Sequence, residues 1–303
     1  MRVLLTGASG QLGQALLASA PLQLAQRPLE LLPLHRSDLD LRDLAACRAA
    51  VKSFRPHWLI NAAAYTAVDR AEQEPDVAMA VNAAAPAAFA EALVQEPEAG
   101  RLLQISTDFV FSGEQGTPYQ PDQLPAPLGA YGASKAEGER RVLACLGSMG
   151  RAHVLRTGWL YGPVGHNFCR TMLRLHRQRA ETGEPLPVVA DQVGCPTSTA
   201  GLAAACWRLL SLRAEPLPSV LHWSDAGAAS WFDFALAIGE LAEAQGLLKR
   251  AAAVIPITTA AYPTPARRPS YSLLDCTATR VLLGLDPQPW RTALTAVLRA
   301  IKS

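Results

Sequence analysis

Arg2-Val3-Leu4-Leu5-Thr6-Gly7-Ala8-Ser9-Gly10-Gln11-Leu12-Gly13 carries the fold of this chain. Val3-Leu4-Leu5 is a short apolar run that stops at a glycine-rich turn, and an apolar stretch of helical length follows from Leu12 to Ala20. Strand, glycine turn and helix in that order open a βαβ unit. A strand without polar alternation suits a parallel sheet, whose two faces are both covered. Gly7, Gly10 and Gly13 recur every third residue. Glycine permits the tight turn and lets the backbone approach a pyrophosphate, while the helix start offers unpaired N–H groups and a positive dipole end. The spacing GxxGxxG differs from the GxGxxG of the common dinucleotide-binding fingerprint.

Working outward, the alternation continues. Strands are predicted at Glu30–Leu34, Trp58–Ile60 (ending at Asn61), Leu102–Ser106 and Val154–Leu155. Helices are predicted from an Asp40 cap to about Phe54, from Val77 to Gln95 and from Ala130 to Cys145, with a loop over Ser112–Pro127. This is an α/β pattern: a Rossmann-type doubly wound parallel sheet over residues 1–160. Beyond residue 160 prolines cluster and the alternation loosens. Residues 161–303 are expected to form a smaller, mixed, mainly substrate-binding portion, with some segments returning to the Rossmann core.

Composition narrows the function classes. The chain has 303 residues, 50% hydrophobic and 18% charged, with a net charge of +2. That supports a large core and gives no general attraction to nucleic acid or membrane. Six cysteines show no CxxC spacing and six histidines no HxxxH spacing, so no metal site is expected, and the cysteines are expected to be reduced thiols. No GxSxG stretch marks a hydrolase nucleophile. No leader is expected before the first strand, and no apolar run of membrane-spanning length is expected. A cytoplasmic protein, monomer or homodimer, is the expectation.

A carboxylate after the second strand would favour the ribose hydroxyl of NAD, and an arginine the 2′-phosphate of NADP. Leu34-His35-Arg36-Ser37 stands there, so Arg36 favours NADPH, with NADH possible. Tyr131-Gly132-Ala133-Ser134-Lys135 puts a tyrosine and a lysine on one helix face. Ser106-Thr107-Asp108 lies at the carboxyl end of the fourth strand, where such sheets bind ligands. A ketone accepting hydride needs a proton, and free tyrosine at a pKa of roughly 10 is poorly matched to pH 7. An ammonium close by favours tyrosinate by up to ~4 kcal/mol at an effective dielectric of ~20. Tyr131 is thus the candidate general acid, Lys135 its modulator and ribose partner, and Thr107 the group that polarises the carbonyl. Arg267 and Arg268 sit between prolines, and a guanidinium suits a nucleotide pyrophosphate. One of them, taken as Arg267, is a candidate substrate contact. Arg170, Arg174, Arg177 and Arg179 read as a solvated helix face.

Together the segments TGASGQLG (Thr6–Gly13), NAAAYTAVDRAEQE (Asn61–Glu74), ISTDFVF (Ile105–Phe111), GTPY (Gly116–Tyr119), YGASK (Tyr131–Lys135), RTGWLYG (Arg156–Gly162), NFCRTML (Asn167–Leu173), DQVGCPT (Asp191–Thr197) and YPTPARRP (Tyr262–Pro269) resemble the extended short-chain dehydrogenase/reductases. More narrowly, they resemble the dTDP-4-dehydrorhamnose reductase family. The resemblance implies reduction of the C4 ketone of dTDP-4-dehydro-L-rhamnose to dTDP-L-rhamnose, for cell-surface glycans. It implies that Gly10, Gln11 and Leu12 meet the cofactor pyrophosphate. Asp40 and Leu41 would flank the adenine, and Ala64, Tyr65 and Thr66 would line the cofactor cleft. Thr107, Asp108 and Trp159 would touch the sugar. An indole suits a deoxysugar as a flat apolar wall. Phe109 stands where the family commonly has tyrosine, and Gly158 where it has serine. Gln14-Ala15-Leu16 lacks the acidic residue through which some relatives bridge a dimer by magnesium. The alternatives are another sugar-nucleotide reductase, an epimerase or dehydratase of the same superfamily, or a catalytically silent cofactor-binding regulatory subunit. Steady NADPH consumption separates the first from the epimerase and dehydratase, and the intact Tyr131, Lys135 and Thr107 oppose the last.

Overall fold

The computed structural model describes residues 1–95, 100–212, 216–286 and 288–302. Six strands form one parallel sheet: β1 (Arg2–Thr6), β2 (Glu30–Leu34), β3 (Trp58–Asn61), β4 (Arg101–Thr107), β5 (Ala152–Thr157) and β6 (Val220–His222). Their order is β2-β1-β3-β4-β5-β6, with every pair parallel. The chain leaves β1 toward one edge and returns on its other side at β3. The crevice between the carboxyl ends of β1 and β3 is therefore the switch point at which such sheets bind ligands.

Helices cover both faces. They are α1 (Gln11–Ala18), α2 (Leu44–Phe54), α3 (Pro75–Val94), α4 (Ala130–Leu146), α5 (Phe168–Thr182), α6 (Thr199–Ser211), α7 (Trp231–Ala244), α8 (Thr277–Leu283) and α9 (Trp290–Lys302). One core layer joins Leu4, Leu59, Phe89 and Leu102 under α2, α3 and α4. The other joins Val3, Leu5, Leu16 and Ile60 to Leu202, Trp207 and Leu221. The last three residues come from α6 and β6, so late segments complete the first sheet. A separate cluster of Tyr161, Phe234, Ile238 and Leu294 closes the rest. There the strands are short pairs, such as Leu186–Val189 with Val254–Ile257.

Three expectations need correction. Asp40 does not cap α2: Asp43 is the N-cap and accepts from Ala46 N at 2.9 Å. Asp40 instead pairs with Arg42 at 2.6 Å, and Leu41 and Arg42 still separate it from the N-cap. The helix expected at Val77–Gln95 spans Pro75–Val94 and contains a π-helical turn at Ala80–Ala84. At 20 residues and a mean hydropathy of 1.6, α3 is also apolar and long enough to cross a membrane by length and composition. It is a core helix: 56% of that stretch is buried within the protein, and Phe89 and Leu93 pack on the sheet. All six cysteines are free thiols, five of them buried.

Candidate active site

Gly7 ends β1 with φ +72°, a left-handed conformation that suits glycine. A Cβ there would fall 2.7 Å from the Ala63 amide nitrogen. Gly10 is the N-cap of α1 and has no side-chain cap. The first turn of α1 holds no acidic side chain, so its N–H groups and dipole end face outward uncompensated. A Cβ on Gly10 would meet only the Gly7 carbonyl, at 3.2 Å, so its outer side is open. These features fit a pyrophosphate. Gly13 serves differently. A Cβ there would lie 2.1 Å from the Gly7 carbonyl oxygen, so this glycine seats α1 against the turn.

A cleft of 1610 Å³ starts at this turn and crosses the carboxyl ends of the strands. Gly7, Gly10, Gln11, Leu12, Arg36, Asp40, Leu41, Ala64, Tyr65 and Thr66 line one end, and Thr107, Asp108, Tyr131, Lys135 and Trp159 line its middle. Gly13 and Arg267 are not among its walls. Arg267 is exposed, and Arg268 lines the cleft instead, paired to Asp69 at 2.8 Å. Gln11 uses its side chain to reach the far wall: Nε2 donates to the His166 carbonyl at 3.2 Å, and Oε1 accepts from Asn167 at 2.9 Å.

Tyr131 and Lys135 lie one turn apart on α4 and are buried. Burial pushes the Tyr131 hydroxyl up to about 12, against a hydrogen bond with Thr107 that lowers it, and the Asp108 charge adds to the rise. Burial also takes Lys135 down to about 8, while the Glu139 carboxylate opposes that fall. Lys135 Nζ donates to the Ile105 carbonyl at 2.7 Å, which leaves two N–H donors for other partners. Behind Ile105 runs a buried relay from Thr6 through Asn61 to Gln104, whose amide donates to the same carbonyl at 3.0 Å. Asp108 is raised to about 6 by burial, against hydrogen bonds from Ser272 and Thr107. A Cβ on Gly158 would lie 2.5 Å from the Asp108 carboxyl, so the missing side chain at 158 is the space Asp108 occupies. Phe109 meets Tyr131 edge-on at 5.6 Å.

Trp159 has φ +50°, a strained conformation for an aromatic residue. Its indole is held flat on Trp231, with ring centroids 3.4 Å apart and an interplanar angle of 1°. Gly194 makes room for it, since a Cβ there would lie 2.5 Å from the indole. Trp231 in turn donates to Gln192 Oε1 at 3.1 Å. Trp231, Gln192 and Phe168 share this wall of the cleft. Sequence reasoning missed Trp231, whose only local signal is the capping box of Ser230 and Asp233 at the start of α7. It also missed Asn82, in the π turn of α3. That side chain accepts from Tyr65 N at 2.8 Å and donates to the Tyr65 carbonyl and Ser134 Oγ at 3.0 Å each. Among the described residues, no group of three or more His, Cys, Asp or Glu is arranged to hold a metal.

A glycine turn at the switch point and a buried Tyr/Lys pair beside Thr107 define an extended short-chain dehydrogenase/reductase. The model of the RmlD substrate binding domain family matches residues 1–303. The dTDP-4-dehydrorhamnose reductase of Aggregatibacter actinomycetemcomitans is 40% identical over 296 residues, covering 97% of each chain. A probable dTDP-4,6-dihydroxy-2-methyloxan-3-one 4-ketoreductase of Streptomyces antibioticus is 41% identical, covering 97% of this chain and 93% of its own. The crystal structure of the Bacillus anthracis dTDP-4-dehydrorhamnose reductase in complex with NADP has a TM-score of 0.86 at 34% identity, covering 98% of each chain. The chain belongs to the dTDP-4-dehydrorhamnose reductase family.

Proposed function

We propose that this protein reduces the C4 ketone of dTDP-4-dehydro-L-rhamnose to dTDP-L-rhamnose with NADPH. The observation that carries it is the convergence of Tyr131, Lys135 and Thr107 in the cleft that begins at the glycine turn. NADPH, when bound, would provide the hydride for the carbonyl carbon. Tyr131, kept protonated by burial, gives its hydroxyl proton to the carbonyl oxygen as that oxygen becomes an alkoxide. The Lys135 ammonium stabilises the tyrosinate left behind, and its spare donors suit the cofactor ribose. The Thr107 hydroxyl polarises the same oxygen. Gln11 and Leu12 would meet the pyrophosphate with the N–H groups of the first turn of α1, Gly7 and Gly10 would leave the backbone bare for its approach, and Arg36 suits the 2′-phosphate. Asp40, Leu41, Ala64, Tyr65 and Thr66 enclose the nucleoside end.

On the substrate side, the Trp159–Trp231 stack forms the apolar wall for the methyl-bearing sugar face, and Asp108 accepts from a sugar hydroxyl. Arg268 suits the nucleotide diphosphate. The test is NADPH oxidation by the purified protein given the ketosugar, with NADH in parallel. Tyr131→Phe is expected to lose at least about a hundredfold in kcat. Full turnover in that variant overturns the mechanism, and absence of steady NADPH consumption by the wild type overturns the reductase.

A further inference from the structure

Helix α4 buries a third polar residue on the face that holds Tyr131 and Lys135. Glu139 follows Lys135 by one turn, so the three line one side of the helix. Each has its own partner at the end of β4. Tyr131 is hydrogen-bonded with Thr107, Lys135 Nζ donates to the Ile105 carbonyl, and Ser106 Oγ donates to Glu139 Oε1. Glu139, 2% exposed, also takes Arg156 Nε at 3.1 Å and Nη2 at 2.8 Å. Arg156 stands opposite Ser106 in the β4–β5 register. Its Nη1 donates to the Pro121 carbonyl at 3.2 Å and to His222 Nε2 at 3.4 Å.

An enclosed ion pair is a weak source of stability, because desolvating two charges offsets much of their attraction. Its place one turn behind Lys135 supplies another reason for it. We infer that Glu139 is a positioning residue: through Ser106 and Arg156 it locks α4 in register with the end of β4, with its negative charge one helical turn behind the Lys135 ammonium. This rests on the roles proposed above for Tyr131 and Lys135. The charged and titratable groups around Lys135 are Tyr131 and Glu139 on its own helix, Asp108 after β4 and Arg156 on β5. Asp108 acts on Tyr131. Arg156 is neutralised by Glu139 itself.

The test reads Lys135 directly, by NMR titration of labelled lysine side chains in the cofactor-free protein, assigned with Lys135→Arg. Glu139→Gln is expected to lower the Lys135 titration by about one pH unit. It is also expected to move the alkaline limb of kcat/KM down with it and to cut kcat about tenfold while KM stays within about threefold. An unchanged titration and alkaline limb overturn the inference. If Glu139→Gln does not fold, Ser106→Ala leaves the ion pair intact and removes only the bridge to β4. It is then expected to lower kcat about threefold at constant KM, and a wild-type kcat overturns the inference. Because the titration needs no turnover, failure of the reductase assay and failure of the Glu139 role are distinguishable.

Discussion

Asp108 and Tyr131 share one buried corner, and burial favours the protonated form of both. For Asp108 this has a consequence for stability. Its carboxyl is raised from an ordinary 3.8 to about 6, so the folded protein holds the proton more tightly than the unfolded chain. The favourable contribution is complete below the ordinary value and is lost as pH rises through about 6. Asp108→Asn should remove that loss. Urea midpoints measured from pH 4 to 7 should show wild type falling relative to the variant across this window, by roughly 3 kcal/mol at most. A constant difference between the two proteins would contradict the buried, raised carboxyl. Ser-Thr-Asp was legible as a ligand-end signature in the sequence. The raised carboxyl was not, because it follows from the contact with Gly158 and enclosure by residues such as Ser272, distant in the chain.

At the scale of elements, glycine spacing announces the turn before α1 but not the separate work of each glycine. Gly10 leaves space where a phosphate fits, whereas Gly13 lets α1 lie against the Gly7 carbonyl. Gly13→Ala is accordingly expected to destabilise the protein by about 1–3 kcal/mol, since its Cβ meets backbone that cannot rotate away. Urea denaturation checks this, and fluorescence titration with NADPH should show weaker binding in the same variant. Wild-type stability would mean the turn yields. Helix α3 was legible in existence and approximate length from its apolar run. Its π turn was not, because it depends on a close approach between helices. A Cβ on Gly138 would lie 2.1 Å from the Asn82 carbonyl oxygen, so α4 presses against the π turn at a glycine. The wider turn sends the Asn82 side chain to Tyr65 and Ser134.

Across the whole molecule, Asp69 and Arg268 tie the segment after β3 to the loop that follows Val254–Ile257, over the mouth of the cleft. Arg268 Nη2 donates to Asp69 Oδ2 at 2.8 Å, and the Ala266 amide donates to Oδ1 of the same carboxylate at 3.2 Å. The pair is partly exposed, so it contributes little to global stability, under about 1 kcal/mol. Asp69→Asn should therefore leave the melting temperature nearly unchanged while hydrogen exchange accelerates in residues 258–270. Unaltered exchange there would show that the loop is held by other contacts. The sequence alone determined the parallel βαβ order, the glycine turn, the Tyr131–Lys135 face and the family likeness. Each is written in local spacing, where periodicity and glycine freedom act over a few residues. Tertiary structure decided that α6 and β6 return to the first sheet and that Trp231 backs Trp159. It also decided that Ser106 and Arg156 close on Glu139 and that Arg268, rather than Arg267, lines the cleft. Those facts depend on which distant segments bury one another, and burial is a property of the packed chain that no short window of residues contains.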